Sequence, residues 1–269
     1  MRTKRNHVSV LKAAIYGLVQ GLTEFLPVSS SGHLALYDHI FGGSGDDPLL
    51  LSIVVHVASL LAVLVVFRRE VLRLFFDDRR LGVFICIATV PAVAGGLLGK
   101  GIVERVLASP VAVAVCLMVT GLVLVLGELA ARRAARADVT EQAMGFWRVL
   151  AVGVAQAFAL LPGISRSGMT ISAGRALGLG RDASVRFAFL LAVPAIVGAG
   201  CYEGLKVLAG EAGASIGMLP VLAGFITALV SSWLALILLI KLVRRVGLWV
   251  FSPYCLAAGL AALIYFSRG

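Results

Sequence analysis

The amino-acid sequence predicts an all-α integral membrane protein with about six crossing helices and two broken, re-entrant helical hairpins arranged as inverted repeats. Of its 269 residues, 60% are hydrophobic and 14% are charged, and the mean hydropathy is +1.00. Soluble domains, in which about half of the residues are apolar, do not reach this value. Apolar stretches of about 20 residues, the length that a helix needs to cross a bilayer, recur along the chain. We therefore interpret residues 1–269 as a single polytopic membrane domain.

Six uninterrupted apolar runs predict the crossing helices. Basic clusters between them indicate an orientation, because short loops rich in lysine and arginine stay in the cytoplasm. With re-entrant hairpins, fifteen Lys and Arg residues fall on one side and eight on the other, and the richer side is predicted to be cytoplasmic. The net charge of +10 then reflects topology and contact with membrane lipids, and no nucleic-acid partner is expected, since such partners need a basic patch on a solvated face. The six runs are residues 49–67, 82–99, 110–130, 187–206, 219–240 and 249–266.

Two further apolar segments, at about 10–40 and 147–180, are interrupted near their middle. The first breaks at Leu26-Pro27 and the second at residues 161–163, and a proline disfavours helical geometry in the residue before it. Irregular backbone survives at membrane depth only where it is buried in protein or lines a water-filled cavity. Each segment is therefore predicted to enter the membrane, turn and return. The charge count does not test this, since two simple crossings again give fifteen against eight.

The two broken segments resemble each other, which predicts a duplication with repeat 1 at about 10–135 and repeat 2 at about 147–269. Three predicted crossing helices separate the hairpins, and this odd number makes the second hairpin enter from the opposite face. The breaks would then meet near the bilayer midplane, where half-helix N-termini can bind an anion. A shift of 136 positions superposes Gly17 on Gly153, Gln20 on Gln156, Ser29 on Ser165, Ser31 on Ser167 and Gly32 on Gly168.

The first polar motif runs from Gln20 to His33 and combines an acid, three serines and a histidine. Gln20 and Glu24 are four residues apart and share one helical face. After the break, serines stand where a helix N-cap is favoured. Ser30 and His33 are three residues apart, so a hydroxyl and an imidazole share a face at the spacing of a nucleophile and its base. The motif therefore predicts a site for acid–base chemistry.

The second polar motif, from Pro162 to Thr170, surrounds one arginine with hydroxyls at a predicted helix start. Backbone donors, the positive end of a helix dipole and the bidentate guanidinium of Arg166 together make a phosphate-binding set. A charged arginine inside a membrane segment is costly and needs a partner or an anionic ligand. The structural alternative is that Arg166 forms an ion pair with Glu24 that links the repeats, while the Ser and Gly residues only permit close helix packing.

At these two motifs, QGLTEFLPVSSSGH and PGISRSGMT, the chain resembles the undecaprenyl-diphosphatase family, the bacterial bacitracin-resistance phosphatases. The resemblance extends over essentially the whole chain. It implies a multi-pass protein of the bacterial inner membrane that hydrolyses undecaprenyl diphosphate and so recycles the lipid carrier of cell-wall synthesis. With the hairpin topology, its active site would face the outer side. A transporter or flippase of the lipid carrier, for which inverted repeats are also typical, and a phosphatase of other lipid phosphates are the alternatives.

The resemblance implies roles residue by residue. Glu24 matches the family's essential acid, Ser30 its proposed nucleophile or nucleophile-assisting serine, and Arg166 its phosphate-binding arginine. His33 matches the motif histidine. Whether Ser30, His33 or water attacks phosphorus stays open, and so does the oligomeric state, including a homodimer. The expected substrate-binding residues are Gln20, Ser29, Ser165, Ser167, Gly168 and Thr170.

A divalent cation is the cofactor that this resemblance implies. Gln20 stands at a position that can be Glu in the family, so this chain departs from the acidic version and a site built from two carboxylates is in doubt. Glu24 together with the diphosphate oxygens is expected to hold Mg²⁺ or Ca²⁺, because both are hard cations that prefer oxygen ligands.

Overall fold

The computed structural model is a bundle of α-helices, and the predicted all-α class is confirmed. It describes residues 8–41, 48–134, 139–210 and 216–268. Within these ranges the only β-type pairing is an isolated parallel bridge between Val139 and Leu179. The helices are α1 (Val10–Phe25), α2 (Ser30–Phe41), α3 (Pro48–Val66), α4 (Arg68–Phe76), α5 (Arg79–Leu98), α6 (Lys100–Leu107), α7 (Pro110–Ala134), α8 (Phe146–Phe158), α9 (Arg166–Ala176), α10 (Arg181–Leu208), α11 (Met218–Arg245) and α12 (Ser252–Ser267), with 3-10 turns at Glu141–Ala143 and Leu248–Phe251.

Six helices in the described part of the chain are long and apolar enough to cross a membrane, as predicted. They are α3, α5, α7, α10, α11, and α12 with the 3-10 turn before it. α5 and α10 begin at Arg79 and Arg181, several residues before the predicted starts, because helical hydrogen bonding continues through the charged turn beside each apolar run. Two short helices, α4 and α6, were not predicted. Both carry charged residues, and hydropathy finds only the apolar part of a helix.

Both broken segments turn inside the bundle and return. In the first, Tyr16 of α1 packs its ring edge-on against Tyr37 of α2, with the centroids 5.9 Å apart, so the two helices run back along each other. In the second, the Val139 amide donates to the Gly178 carbonyl at 2.9 Å, which brings the chain before α8 beside the chain after α9. The predicted hairpins are therefore present in both segments.

The two hairpins open at different ends of the bundle. His39, near the end of α2, contacts the ring of Phe266 near the end of α12, with the centroids 6.1 Å apart. Arg181, which follows the second hairpin, donates instead to the carbonyl of Arg244 at the end of α11, at 3.0 Å. α12 runs from the second of these ends to the first. These contacts agree with hairpins that enter from opposite faces, while the inverted-repeat relation of the complete halves stays a prediction.

Each broken helix packs closely against a crossing helix of the other half. A Cβ atom built on Gly17 of α1 would lie 2.2 Å from the Gly224 carbonyl oxygen of α11, and one on Gly153 of α8 would lie 2.5 Å from the Ala88 carbonyl oxygen of α5. No side chain fits at either contact, and glycine lets the backbones approach. Gly17 and Gly153 are one of the pairs matched by the 136-residue shift. Because each broken helix packs against the other half of the chain, the two breaks are brought together.

Ion pairs join several loops at the end where the second hairpin opens. Arg186 makes two hydrogen bonds to the buried Glu141, at 2.7 and 3.1 Å. Arg80 also donates to the Met144 carbonyl at 3.4 Å. The described parts of the basic loops that the charge count assigned to the cytoplasm therefore share one end of the bundle; residues 135–138 lie outside the described ranges. Charge counting did not reveal that these arginines have acidic partners. The pairs are Arg181–Glu128, Arg186–Glu141 and Arg244–Asp182.

Candidate active site

The first break, between α1 and α2, is a short strained turn. α1 ends at Phe25, and the next residue, Leu26, has an extended backbone, as expected before a proline. Ser29 has a φ of 69° and is the only non-glycine with positive φ in the described residues, a conformation that costs about 1–2 kcal/mol. Its hydroxyl accepts from the Gly32 amide at 3.3 Å and caps α2. The break therefore holds the start of α2 in one orientation.

The second break, between α8 and α9, repeats this cap. The Ser165 hydroxyl accepts from the Gly168 amide at 3.1 Å, and it lies 3.2 Å from the Ser167 hydroxyl. The equivalent hydroxyls of Ser29 and Ser31 are 3.3 Å apart. The correspondence between the motifs thus extends from sequence to local geometry.

The two breaks touch each other. A Cβ atom on Gly32 would lie 2.8 Å from the Cα atom of Gly163, which itself has a φ of 99°. The Ser167 hydroxyl donates across the contact to the Leu26 carbonyl at 3.3 Å. Two motifs more than a hundred residues apart in sequence therefore form one site.

Glu24 is the hub of this site, and its side chain is only 7% exposed. One carboxylate oxygen accepts from the guanidinium of Arg166. The other accepts from the Ser30 hydroxyl at 2.5 Å and from the Gln20 amide nitrogen at 3.0 Å. A buried carboxylate is tolerated where a cation and hydrogen-bond donors surround it. The acid, the serine and the arginine selected from sequence are therefore in direct contact.

The guanidinium of Arg166 has more N–H donors than its contacts within the protein use. Besides Glu24, its guanidinium donates to the Ala192 carbonyl of α10 at 3.3 Å, and its side chain is 20% exposed. These two contacts use two of its five N–H donors. The remaining donors can bind phosphate oxygens in the bidentate manner that guanidinium favours.

His33 is not paired with Ser30, although their spacing predicted a nucleophile and its base. Its Nδ1 atom lies 2.8 Å from the Ser29 carbonyl oxygen, and its Nε2 atom lies 2.8 Å from the hydroxyl of Tyr254. Ser30 turns toward Glu24 because the ion-paired carboxylate is the stronger acceptor. The expected Ser30–His33 contact is therefore replaced by Ser30–Glu24, while the catalytic roles of these residues stay predictions.

Known proteins are similar to this chain over almost its whole length. Residues 13–261 match the family model described as bacitracin resistance protein BacA. This chain belongs to that family. It is 36% identical to the undecaprenyl-diphosphatase of Alcanivorax borkumensis, over 94% of this chain and 98% of the relative. It is 39% identical to the undecaprenyl-diphosphatase of Rubrobacter xylanophilus, over 96% and 99%, and 34% identical to undecaprenyl-diphosphatase 1 of Shouchella clausii, over 96% and 97%.

Several hydroxyls expected to bind substrate instead hold the backbone of this BacA-family chain. Ser29 and Ser165 are caps, and the Gly168 amide donates to the second of them. Ser167 donates to the Leu26 carbonyl, and the hydroxyl of Thr170 donates to the Arg166 carbonyl at 2.8 Å. The protons of Ser167 and Thr170 are thus directed to carbonyl oxygens, while Ser29 and Ser165 act as acceptors in their caps. Contact with substrate at these positions stays a prediction.

Thr120, on α7, is a site residue that the sequence did not reveal. It is buried, donates to the Gly163 carbonyl at 2.8 Å and accepts from the Ser165 amide at 3.0 Å. It thereby satisfies two backbone groups that the second break leaves unpaired. Tyr254, on α12, is a second site residue that the sequence did not reveal. A single polar residue in an apolar run gives too little signal to place it beside a distant motif.

Two buried glutamines at equivalent positions differ in their partners. The Gln20 amide nitrogen donates to Glu24, while its side-chain oxygen has no hydrogen-bond partner. Both polar side-chain atoms of Gln156 lack partners. Among the described residues, no group of three or more His, Cys, Asp or Glu side chains could hold a metal ion. The cation site expected at Glu24 therefore stays a prediction.

Proposed function

We propose that this chain hydrolyses undecaprenyl diphosphate to undecaprenyl phosphate and inorganic phosphate, which returns the lipid carrier to cell-wall synthesis. The observation that carries the proposal is the convergence of Glu24, Ser30 and Arg166 where the two helix breaks meet. Membership of the BacA family and the names of relatives covered over almost their whole length support it. An enzyme for a polyprenyl lipid also agrees with six crossing helices.

The diphosphate would bind where α2 and α9 begin. The first backbone N–H groups of a helix have no intrahelical acceptor, and the helix dipole favours an anion there. Arg166 adds the donors that Glu24 and Ala192 do not use. The polar head group would lie in this pocket, and the isoprenoid tail would lie in a groove between crossing helices, within the hydrocarbon of the membrane.

We infer that Ser30 is the nucleophile and Glu24 its base, because the 2.5 Å hydrogen bond already directs the hydroxyl proton to the carboxylate. The Ser30 oxygen would bond to the terminal phosphorus while the bridging P–O bond breaks, releasing undecaprenyl phosphate. A water molecule would then attack the phosphoserine phosphorus and give a proton to His33, while the P–O bond to Ser30 breaks, the Ser30 oxygen regains the proton held by Glu24, and inorganic phosphate is released. Arg166 would balance the charge on the transferring group in both steps.

A divalent cation would bind at this site only when the substrate supplies some of its oxygen ligands. Glu24 can supply carboxylate oxygen and Gln20 its unpartnered side-chain oxygen, whereas Mg²⁺ and Ca²⁺ take six or more oxygen ligands. Diphosphate oxygens and water would complete the shell, and the ion would neutralise charge on the head group. Replacement of Gln20 by Glu should preserve activity and lower the Mg²⁺ or Ca²⁺ concentration that gives half-maximal rate. Complete inactivation of this variant would contradict the role given to Gln20.

The first hairpin, and with it the Gln20–His33 motif, is proposed to open toward the outer side of the bacterial inner membrane. The orientation rests on the arginine-rich loops at the opposite end of the bundle. Single cysteines at Arg268 and Arg245, in a cysteine-free chain, mark the two ends. A membrane-impermeant maleimide applied to intact cells should label Arg268→Cys and spare Arg245→Cys until the membrane is opened. The reverse pattern would place the first hairpin on the cytoplasmic side.

Phosphate release by the purified protein in detergent tests the activity. Undecaprenyl diphosphate should be hydrolysed by the wild type, and Glu24→Ala and Arg166→Ala should each lose more than about 100-fold in rate, as loss of a transition-state charge partner does. Glu104→Ala and Arg245→Ala make the same charge changes at exposed positions and should remain active. Tight binding without turnover would favour a transporter of the carrier. Faster hydrolysis of phosphatidic acid than of C55 or C15 diphosphates would favour another lipid phosphatase.

A further inference from the structure

Tyr254, near the start of α12, touches the first polar motif from the far end of the sequence. Its hydroxyl lies 2.8 Å from Nε2 of His33, and the two ring planes are within 7° of parallel. The neighbouring Cys255 is buried, and its thiol donates to the Pro27 carbonyl at 3.5 Å. Two consecutive residues therefore hold the start of α12 against the first break, so the orientation of the tyrosine is fixed by more than its own ring.

The other nitrogen of His33 determines where its proton lies. Nδ1 is 2.8 Å from the Ser29 carbonyl oxygen, and a carbonyl can only accept, so Nδ1 carries a proton. In the neutral ring Nε2 is then an acceptor, and the Tyr254 hydroxyl is the donor. Both ring nitrogens are occupied, which fixes the tautomer and the orientation of the imidazole.

We propose that Tyr254 positions His33 and relays the proton that His33 takes. A hydroxyl can both donate and accept, so Tyr254 can pass its own proton to Nε2 while it takes a proton from the attacking water, and it can then accept from the new Nε2–H. The imidazole would thus keep one orientation through the proton transfer. The proposal rests on the proposed function, because it assigns to Tyr254 the control of the residue that handles the proton.

The competing explanation is that Tyr254 only packs against the histidine ring. The side chain is about half exposed, so burial of its ring contributes less than that of a core aromatic. Tyr254→Phe keeps the ring and removes only the hydroxyl, which separates the two explanations. Tyr265 lies on the same helix and contacts the ring of Phe266, so Tyr265→Phe is the matched control.

The first measurement is steady-state hydrolysis by the full-length variants in detergent. Loss of one orienting hydrogen bond should lower kcat of Tyr254→Phe about five- to tenfold, with KM changed less than about twofold, since the Tyr254 hydroxyl bonds to His33 and not to the proposed phosphate-binding residue Arg166. Tyr265→Phe should retain the wild-type values. A kcat equal to wild type, or a loss confined to KM, would overturn the proposal.

The second measurement is the reaction of the histidines with diethyl pyrocarbonate, which acylates an unprotonated ring nitrogen. His39 is an internal reference, because it lies on the same helix and its Nδ1 also contacts a carbonyl, that of Ala35, at 2.8 Å. Mass spectrometry should find His33 modified several-fold faster in Tyr254→Phe than in the wild type, with His39 unchanged. Equal rates at His33 would refute the contact. This readout needs no turnover, so an inactive wild type would overturn the proposed function and still leave the His33–Tyr254 contact tested.

Discussion

The two helix breaks share a backbone plan and differ in the chemistry they carry. Ser29 caps α2 and Ser165 caps α9 through the same serine-to-glycine contact. One residue further on, the first break has Ser30 and the second has Arg166. These equivalent side chains both donate to the carboxylate of Glu24. The repeated part of the motif thus builds the turn, and the position that differs builds the site.

The comparison extends to the residues around the breaks. At the 136-residue shift, Glu24 corresponds to Leu160 and His33 to Met169. The first half therefore supplies the acid, the serine and the imidazole, while the second half supplies the cation. Neither half contains a complete phosphate-handling set. The crossed packing of α1 on α11 and of α8 on α5 gives this division its physical basis, since it brings the two half-sites together.

The largest effects are expected when Arg166 and Ser30, which occupy equivalent positions in the two breaks, are each replaced by alanine. Arg166→Ala leaves the buried Glu24 without its cation, which typically costs about 3–5 kcal/mol, and it should lower hydrolysis by more than about 100-fold. Ser30→Ala removes one hydrogen bond to a carboxylate, worth about 1.5–3 kcal/mol, and should lower kcat much more than binding. Thermal unfolding in detergent and phosphate release measure the two effects separately.

A double variant separates the ion pair from the chemistry. Glu24→Gln combined with Arg166→Ala removes both charges and should regain part of the stability lost by Arg166→Ala alone. It should regain no hydrolysis. Recovery of activity in the double variant would mean that the ion pair has only a structural role. Separately, a nearly normal rate for Ser30→Ala would exclude Ser30 as the nucleophile.

The next effect compares the equivalent glycines. A Cβ atom on Gly32 meets backbone, 2.8 Å from the Gly163 Cα atom, whereas one on Gly168 meets the Ser165 side chain at 3.1 Å. Gly32→Ala must therefore separate the two breaks, at a cost of about 2–3 kcal/mol, and Gly168→Ala should cost about 1 kcal/mol. Unfolding midpoints of the two variants provide the comparison. Equal losses would mean that the breaks are not in close contact.

Sequence reasoning predicted the elements whose signals are local. The six crossing helices follow from hydropathy, and the breaks follow from Pro27 and from the Pro-Gly pair before Ser165. The meeting of Glu24 with Arg166 followed from the cost of an isolated charge in a membrane segment. Thr120 and Tyr254 could not be predicted, because their roles depend on which helices are neighbours. The spacing of Ser30 and His33 indicated a shared face, whereas Ser30 donates to Glu24, because spacing within a helix does not account for an acceptor on the preceding helix.

A smaller effect is expected from Thr120 and Cys255, which lie on other helices and hydrogen-bond to the backbone of the two breaks. Thr120→Val leaves the Gly163 carbonyl and the Ser165 amide without a partner inside the bundle, and should cost about 2 kcal/mol. At the first break the corresponding donor is the thiol of Cys255, a weak one, so the hydrogen bond lost in Cys255→Ala should cost about 0.5–1 kcal/mol. Thermal unfolding measures both. A larger loss of stability for Cys255→Ala than for Thr120→Val would contradict this ranking of the two hydrogen-bond donors.

The smallest effect concerns the caps, which differ in backbone conformation. Ser29 has a φ of 69° and Ser165 a φ of −78°. Alanine removes either cap at a cost of about 1 kcal/mol, while glycine at a cap costs only a few tenths. At position 29 glycine also relieves about 1–2 kcal/mol of left-handed strain, and its greater freedom in the unfolded chain offsets about 0.5–1 kcal/mol of that gain.

Ser29→Gly should therefore be more stable than Ser29→Ala by a wider margin than Ser165→Gly is over Ser165→Ala. Four unfolding curves, recorded in one detergent and compared as two differences, test this order. The comparison cancels the loss of the hydroxyl, which both positions share, and leaves the backbone strain, which only the first break has. Equal margins would mean that Ser29 is relaxed, and that the serine of the first motif sits in its turn as easily as its counterpart in the second.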